Sequence, residues 1–225
     1  RTDSSAASDV YKRQTWNKNL CKTILNENSI NTPNSILLNN LKNCSNNPFD
    51  CFEKKFGYKP NLFMKPCEDG SSIDIFKISN DEDYKKAKLN CLNLEREFIF
   101  EESIEGREFT VTIIGNKCYP VIEIKTQNDF YDYDAKYISD DTILDQAKLS
   151  DNELNIINDI ALRTFHALKC SGWARVDIIQ DINGNFNVIE INTVPGMTSH
   201  SCVPKSASFM DLSYQDVVKE ILINV

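Results

Sequence analysis

Four side chains near the C-terminus could together bind a metal ion and a transferring phosphate. They are two carboxylates, an amide and a guanidinium: Asp177, Glu190, Asn192 and Arg175. Carboxylate and amide oxygens suit Mg²⁺, which keeps some of its waters and shares its other positions with phosphate oxygens. A guanidinium adds a planar, permanently charged donor beside them. These residue types predict chemistry on a phosphate; the alternative is an exposed strand face with ordinary charges.

A β-hairpin is expected to position these side chains. Two runs with strand composition flank Asn183-Gly184, and an Asn-Gly pair is the strongest short-range signal for a two-residue type I′ turn. Counting back from that turn puts Asp177 opposite Glu190 and Arg175 opposite Asn192. Because side chains alternate along strands, all four project from one face. Directly opposed carboxylates repel each other, and a divalent cation reverses the sign of that interaction.

The composition excludes several classes of protein. A net charge of −8 argues against nucleic acid as a partner, since phosphate binding needs a basic surface. No apolar run approaches the roughly 18–20 residues of a membrane span, and the start of the chain lacks the features of a signal peptide. The eight cysteines form no C-x₂-C pair. We therefore interpret them as small apolar residues of a protein in a reducing cytosol.

Hydrophobic periodicity and capping signals predict an α+β fold of hairpins and capped helices. Residues 1–14 lack periodicity and differ in composition from the rest, so we treat them as a disordered tail or a foreign segment. Strands are expected at 35–38, 61–65, 97–101, 107–114, 117–125, 173–181 and 185–192. Helices are expected at 16–25, at 48–56 and, from a capping box at 79–82, to about 94. Another should run from a capping box at 150–153 to about 169, and the last at 211–225 with a cap at 213–216. The helix that ends near 169 carries an apolar stripe of Leu154, Ile157, Ala161, Phe165 and Leu168.

A second candidate site for phosphate follows the strand at 61–65. Lys65 ends this strand and a loop with Gly70, Ser71 and Ser72 follows it, so that a cation and backbone N–H groups are offered to phosphate oxygens. The G-x-x-x-x-G-K spacing of a Walker loop is absent.

The C-terminal run GWARVDIIQ…NVIEINTVPGMTSHSCVPKSA closely resembles the signature of D-alanine–D-alanine ligases, which are members of the ATP-grasp superfamily. The resemblance covers about residues 15–225 and implies two α+β subdomains, with mostly antiparallel sheets, that clasp ATP. We expect a central subdomain at 15–105 and a C-terminal catalytic subdomain at 106–225. The family's N-terminal α/β domain has no counterpart before Trp16, so we expect a fragment of a ligase.

The resemblance also implies roles in binding the nucleotide. Main-chain groups around Glu101, Ser103 and Ile104 match the segment that reads adenine, and Glu108 matches the acid that binds the ribose. Contacts with the ATP phosphates are implied for Lys18, Lys65, Gly70, Ser72 and Lys136. Asp177, Glu190 and Asn192 match the ligands of two Mg²⁺ ions, for which Mn²⁺ can substitute.

Further roles are implied in the ligation itself. ATP phosphorylates the carboxylate of the first D-alanine, and the amine of the second D-alanine attacks the acylphosphate. Arg175 and the Gly196 N–H match the donors that stabilise the oxyanion. Roles toward the D-alanine substrates are implied for Ser71, Tyr137, Ser201 and Cys202, of which the last two hold the second substrate's carboxylate. Asp74, Ser103 and Cys202 stand where family members usually carry glycine, a larger residue and leucine, respectively.

The family works in the cytoplasm, feeds the synthesis of peptidoglycan and thereby cell-wall formation and cell shape, and is usually homodimeric. The resemblance therefore predicts ATP and D-alanine as small-molecule partners, with no nucleic acid or membrane. Alternatives are a ligase that joins D-alanine to D-lactate or D-serine, which Tyr137 disfavours, and a module that binds Mg²⁺-ATP without catalysis. A metal-binding hairpin without nucleotide leaves Lys65, Glu108 and Lys136 unexplained.

Overall fold

The computed structural model describes residues 15–68, 74–125 and 143–224. The helices in these ranges are α1 (Lys18–Glu27), α2 (Pro48–Phe56), α3 (Asp81–Asn90), α4 (Asp151–Ala167), α5 (Cys202–Ser208) and α6 (Tyr214–Asn224). The strands are β1 (Ser35–Asn39), β2 (Leu62–Pro66), β3 (Phe76–Ile78), β4 (Glu97–Glu102), β5 (Gly106–Ile114), β6 (Lys117–Cys118), β7 (Ile122–Lys125), β8 (Ile143–Gln146), β9 (Trp173–Asp181) and β10 (Phe186–Asn192).

The strands form two antiparallel sheets. The first sheet has four strands in the order β1-β4-β2-β3. The second has six: its order is β10-β9-β5-β7-β8, and the short β6 pairs with β5. The sequence predicted an α+β fold with mostly antiparallel strands, and this architecture confirms it.

Each sheet covers a hydrophobic core of its own. The first packs α2 and α3 over a core that contains Phe52, Phe98 and Phe100, which are fully buried. The second packs α4 over a larger core. Helix α1 precedes the first sheet in sequence, but Cys21 and Leu25 lie in the larger core of the second sheet. The predicted division between residues 105 and 106 falls in the connection from β4 to β5, and it stays a prediction.

Two capping signals behave as the sequence predicted, and a third does not. Ser150 and Glu153 form the predicted capping box of α4, and Ser213 caps α6 through Asp216. In α3 the cap is Asn80, not Ser79, because the Asn80 side chain accepts from the two N–H groups that follow the first helical residue. Helix α3 also ends at Asn90, four residues before the predicted end.

Other element predictions were wrong in detail. The strand predicted at 117–125 is interrupted, so that β6 and β7 are separate partners of β5. Leu154 does not belong to the buried stripe of α4, because 38% of it is exposed. The helix predicted at 211–225 begins only at Tyr214, and the short helix α5 before it was not predicted. None of the helices in the described residues is long and apolar enough to cross a bilayer.

The hairpin of β9 and β10 differs from the predicted one at two places. Asp181 pairs with Asn185 across a three-residue loop in which only Gly184 has a positive φ, +86°, so the predicted type I′ turn is wrong. The pairing Val188–Ile178 follows from this longer loop, but Glu190 pairs with Asp177 because Ile189 is an extra residue that forms a β-bulge. The loop and the bulge each add one residue, and the two additions cancel.

Candidate functional site

The four side chains that the sequence singled out lie together on one face of β9 and β10. Asp177 pairs with Glu190 and Arg175 with Asn192, as predicted. Arg175 donates from Nε and Nη2 to the two carboxylate oxygens of Asp177 at 2.9 and 2.8 Å. Asn192 Nδ2 lies 3.1 Å from Asp177 Oδ2 and 3.3 Å from Glu190 Oε1. The amide therefore joins the two carboxylates.

A fifth residue, Thr110 on β5, holds Asp177 from the neighbouring strand. Thr110 pairs with Asp177 across the sheet, and its Oγ1 donates to Asp177 Oδ1 at 2.6 Å. Sequence reasoning missed Thr110, although a threonine within an apolar strand next to the predicted site is a signal that could have been used. Asp177 is 8% exposed, so these bonds fix a largely buried carboxylate.

Arg175 carries a permanent charge in this environment. Burial by itself lowers the pKa of its guanidinium, but the charge and hydrogen bonds of Asp177 outweigh burial, and the pKa lies above its ordinary value. The charge of Glu190 acts in the same direction. Arg175 is thus a fixed cation beside two carboxylates.

The chemistry of this donor set fits a hard divalent cation. In the described residues no group of three or more His, Cys, Asp or Glu side chains could hold a metal ion. Asp177 and Glu190 offer two carboxylates, each within 3.3 Å of the Asn192 amide. Carboxylate and amide oxygens are ligands that Mg²⁺ takes together with phosphate and water.

A second charged cluster joins α1, β2 and β4. Glu101 on β4 is 3% exposed and contacts two lysines: Lys22 Nζ lies 2.6 Å from its Oε2, and Lys65 Nζ contacts its Oε1. Burial raises the pKa of Glu101, but Lys22 and Lys65 outweigh this effect and hold it below its usual value. Burial lowers the pKa of Lys22, and Glu101 offsets part of that decrease.

Lys22 was not predicted as a site residue. It lies between Cys21 and Leu25 on the buried side of α1 and is 4% exposed. A lysine on the apolar stripe of an amphipathic helix is the signal that could have found it, because a buried ammonium needs a counter-charge.

Two adjoining cavities bring the clusters together. One, of about 390 Å³, is bounded by the predicted residues Lys65, Glu101, Ser103, Ile104, Glu108, Asp177 and Glu190. The other, of about 800 Å³, is bounded by the predicted residues Lys18, Lys65, Glu101, Glu190 and Asn192. Lys65 and Glu101 of the first sheet and Glu190 of the second border both cavities.

The remaining described candidates, Gly196, Ser201 and Cys202, lie in the loop after β10 and at the first residue of α5. Ser201 Oγ accepts from the Thr198 N–H at 3.0 Å, and a Cβ at Gly196 would lie 2.9 Å from that oxygen, so a larger residue there would displace the Ser201 side chain. Cys202 is buried against Ile122 and Ile124. These residues do not border either cavity.

Asp74 occupies a backbone conformation that favours glycine. Its φ is +56°, and its carboxylate accepts from the Leu92 N–H at 3.1 Å and contacts Arg96. Asp tolerates this left-handed region better than most residues, which explains how it stands at this position. Five predicted site residues lie outside the described residues: Gly70, Ser71, Ser72, Lys136 and Tyr137.

Comparison with known proteins agrees with this geometry. A family profile described as "D-ala D-ala ligase C-terminus" matches residues 24–223. The chain is 39% identical over 162 residues to the D-alanine–D-alanine ligase of Mannheimia succiniciproducens, a match that covers 72% of this chain and 53% of that protein. For the enzyme of Marinomonas sp. the identity is 40% over 178 residues, covering 78% and 56%. The chain thus spans about half the length of the curated relatives it matches.

Solved structures extend the likeness to the fold. The D-alanine–D-alanine ligase of Bacillus anthracis superposes with a TM-score of 0.80 at 32% identity, over 95% of this chain and 68% of that one. The same enzyme complexed with ATP gives a TM-score of 0.78 at 28% identity, over 95% and 66%. The predicted ATP-grasp architecture is confirmed, and the chain belongs to the family of the D-alanine–D-alanine ligase C-terminus.

Proposed function

We propose that the protein of which this chain is part joins two molecules of D-alanine into D-alanyl-D-alanine and hydrolyses ATP to ADP and phosphate in doing so. The observation that carries this proposal is the meeting of two clusters around adjoining cavities. Arg175, Asp177, Glu190 and Asn192 come from one sheet, and Lys65 and Glu101 from the other. Family membership supports the same reaction.

The cavity bounded by Ser103, Ile104 and Glu108 would take the adenosine part of ATP. The similar D-alanine–D-alanine ligase from Bacillus anthracis has been solved in complex with ATP. Lys65 borders both cavities, so it is placed to contact phosphate oxygens between the nucleoside and Glu190. Lys18 borders the larger cavity only and would contact the phosphates from that side.

Asp177, Glu190 and Asn192 would hold Mg²⁺, which when bound neutralises the phosphate oxygens and orients them for transfer. The chain's own residues do the remaining work. Thr110 and Arg175 hold Asp177 in place. Arg175, with its fixed charge, stabilises the negative charge that develops as phosphate leaves. The roles predicted for Gly70, Ser71, Ser72, Lys136 and Tyr137 toward the phosphates and the first D-alanine stay predictions.

The reaction balances as a ligation. The carboxylate of one D-alanine takes the γ-phosphoryl group of ATP, and ADP is left. The amine of the second D-alanine then attacks the activated carbonyl carbon, a proton leaves the nitrogen, and phosphate departs as the amide forms. The Gly196 N–H would stabilise the oxyanion together with Arg175, and Ser201 and the Cys202 N–H would hold the carboxylate of the second substrate. We place this reaction in the cytoplasm, as a supply of dipeptide for peptidoglycan, and expect the full-length protein to be a homodimer.

The test measures ADP release by the full-length protein with D-alanine, together with product analysis by mass spectrometry. Competing D-lactate and D-serine separate the dipeptide activity from the related ligations; one solved neighbour is a D-Ala:D-Ser ligase from Enterococcus faecalis at 25% identity. Glu190→Gln removes a half-buried carboxylate and should lower kcat/KM roughly 100-fold or more. Glu220→Gln, at an exposed position of α6, is the matched control. ADP release that does not depend on D-alanine, or equal activity of the two variants, refutes the proposal.

A further inference from the structure

Lys22 has no N–H donor left to offer a ligand. Its Nζ contacts Glu101 Oε2 at 2.6 Å, Thr32 Oγ1 at 2.7 Å and the Pro33 carbonyl oxygen at 2.8 Å. An ammonium has three protons, so these three acceptors use all of them. Lys22 therefore does not act on a ligand by contact, although it borders the larger cavity.

The charge of Lys22 nevertheless affects the net charge of the wall that the two cavities share. Glu101 contacts both Lys22 and Lys65, so one buried carboxylate stands between two ammonium groups. This trio carries a net charge of about +1 at neutral pH. Without Lys22, Glu101 would neutralise Lys65 alone, and the remaining pair would carry no net charge.

The other charged side chains of the larger cavity do not replace the charge of Lys22. The wall of this cavity contains the three lysines Lys18, Lys22 and Lys65 and the three glutamates Glu68, Glu101 and Glu190. These six charges cancel, so the loss of one lysine leaves a wall with an excess of negative charge. That change weakens the attraction of the wall for a triphosphate, also with Mg²⁺ at Glu190, and does not act on a neutral nucleoside.

We propose that Lys22 is a positioning residue for the nucleotide: it neutralises Glu101 and thereby keeps the charge of Lys65 available to the phosphates. The inference rests on the proposed function, because ATP is the anion in question. Lys22 acts through Glu101 and Lys65 and does not touch the ligand.

Lys22 also has a structural link that the test must separate from its charge. The Thr32 hydroxyl that accepts from Lys22 donates to the Val188 carbonyl oxygen at 2.8 Å, and the Val188 N–H donates to the Asn31 carbonyl oxygen at 2.8 Å. Val188 directly precedes the bulge that sets Glu190 beside Asp177. Substituting Lys22 thus alters a charge and a hydrogen-bonded connection to β10 at the same time.

The experiment measures binding of ATP and of adenosine by calorimetry, with Mg²⁺ present and the full-length protein. Lys22→Met should weaken ATP roughly tenfold or more, the scale of one unit charge about 10 Å away at a partly buried site. It should leave adenosine within about twofold of the wild type, since adenosine carries no charge. Lys42→Met, at an exposed lysine paired with Glu95, is the control and should change neither.

A double variant separates charge from structure. Lys22→Met combined with Glu101→Gln leaves Lys65 as the trio's remaining charge and restores the net value of +1. We expect it to bind ATP within about threefold of the wild type, whereas a purely structural role predicts that it binds more weakly than Lys22→Met. If Lys22→Met alone fails to fold, the double variant is compared with the wild type: ATP binding within about threefold supports the charge role, and a larger loss overturns it.

The outcomes are distinguishable. Equal losses for ATP and adenosine in Lys22→Met, no loss relative to Lys42→Met, or a double variant that does not recover ATP binding each overturn the role of Lys22 and leave the proposed function standing. Absence of ATP binding by the wild type overturns the proposed function and this inference together.

Discussion

Two threonines of β5 offer a direct measure of what holds the carboxylate of Asp177. Thr110 and Thr112 are both 1% exposed and lie opposite Asp177 and Arg175, respectively. Thr110 donates to Asp177 at 2.6 Å. The hydroxyl of Thr112 is buried without a hydrogen-bond partner among the described residues. The same substitution at the two positions therefore removes a charged hydrogen bond in one case and an unpaired hydroxyl in the other.

The expected magnitudes follow from these contacts. Thr110→Val loses a hydrogen bond to a carboxylate, which contributes about 1.5–3 kcal/mol. The added methyl returns about 0.8 kcal/mol by burial, so we expect the free energy of unfolding to fall by about 1–2 kcal/mol. Thr112→Val relieves a buried hydroxyl whose lack of a partner costs about 1–3 kcal/mol, and should leave stability unchanged or raise it.

Urea unfolding followed by circular dichroism measures this difference. With an m-value of about 2 kcal/mol/M, the midpoints of the two variants should differ by roughly 0.5 M or more, with Thr110→Val the lower. The m-values should agree with the wild type, because neither change alters the surface exposed on unfolding. Equal midpoints for the two variants, or a lower midpoint for Thr112→Val, would show that the bond from Thr110 does not stabilise Asp177.

Three further predictions test the frame around the site. Phe52→Ala empties a fully buried position and should cost about 3–5 kcal/mol by urea unfolding, whereas Leu92→Ala, 82% exposed, should cost less than about 0.5 kcal/mol. Gly106→Ala puts a Cβ 1.8 Å from the Gln180 carbonyl oxygen, and should lower stability by about 1–3 kcal/mol or more. Hydrogen bonds from the side chain and backbone of its N-cap serine lower the pKa of Glu153 to about 2. Because that pKa lies below the usual 4.5, the bonds stabilise the fold fully above about pH 4.5 and progressively less toward pH 2. The melting temperatures of Glu153→Gln and the wild type should therefore differ at pH 7 and converge near pH 2.

The hairpin shows what spacing alone can predict. The facing of Asp177 and Glu190 was predicted from a two-residue turn that does not exist. The loop is one residue longer than predicted. By itself this would place Ile189, and not Glu190, opposite Asp177. The bulge at Ile189 adds a residue to β10 and restores the facing. An Asn-Gly pair signals a turn, but it does not specify how many residues the turn contains.

Burial explains why the two departures occur together. Val188 is fully buried and packs in the larger core, whereas Glu190 is directed to the cavities. Strict alternation would place residues 188 and 190 on the same face. An extra residue between them lets one strand bury Val188 in the core and direct Glu190 to the cavities. This extra residue, Ile189, itself borders both cavities. The sequence contains this conflict in VIE, although periodicity reasoning did not use it.

The supporting residues were harder to predict because nothing local marks them. Lys18 and Lys22 are four residues apart on α1, yet only Lys22 is buried against Glu101, which follows it by 79 positions in the chain. Thr110 is likewise an ordinary strand residue until β5 and β9 pair. The predicted ligand-contacting residues of this site are polar residues in recognisable runs of sequence. The residues that fix their side chains, such as Thr110 and Lys22, belong to other elements that pack against those runs. The chemistry of this site was therefore accessible from one hairpin, while its charge balance depends on how α1 and β4 meet, which only the tertiary structure determines.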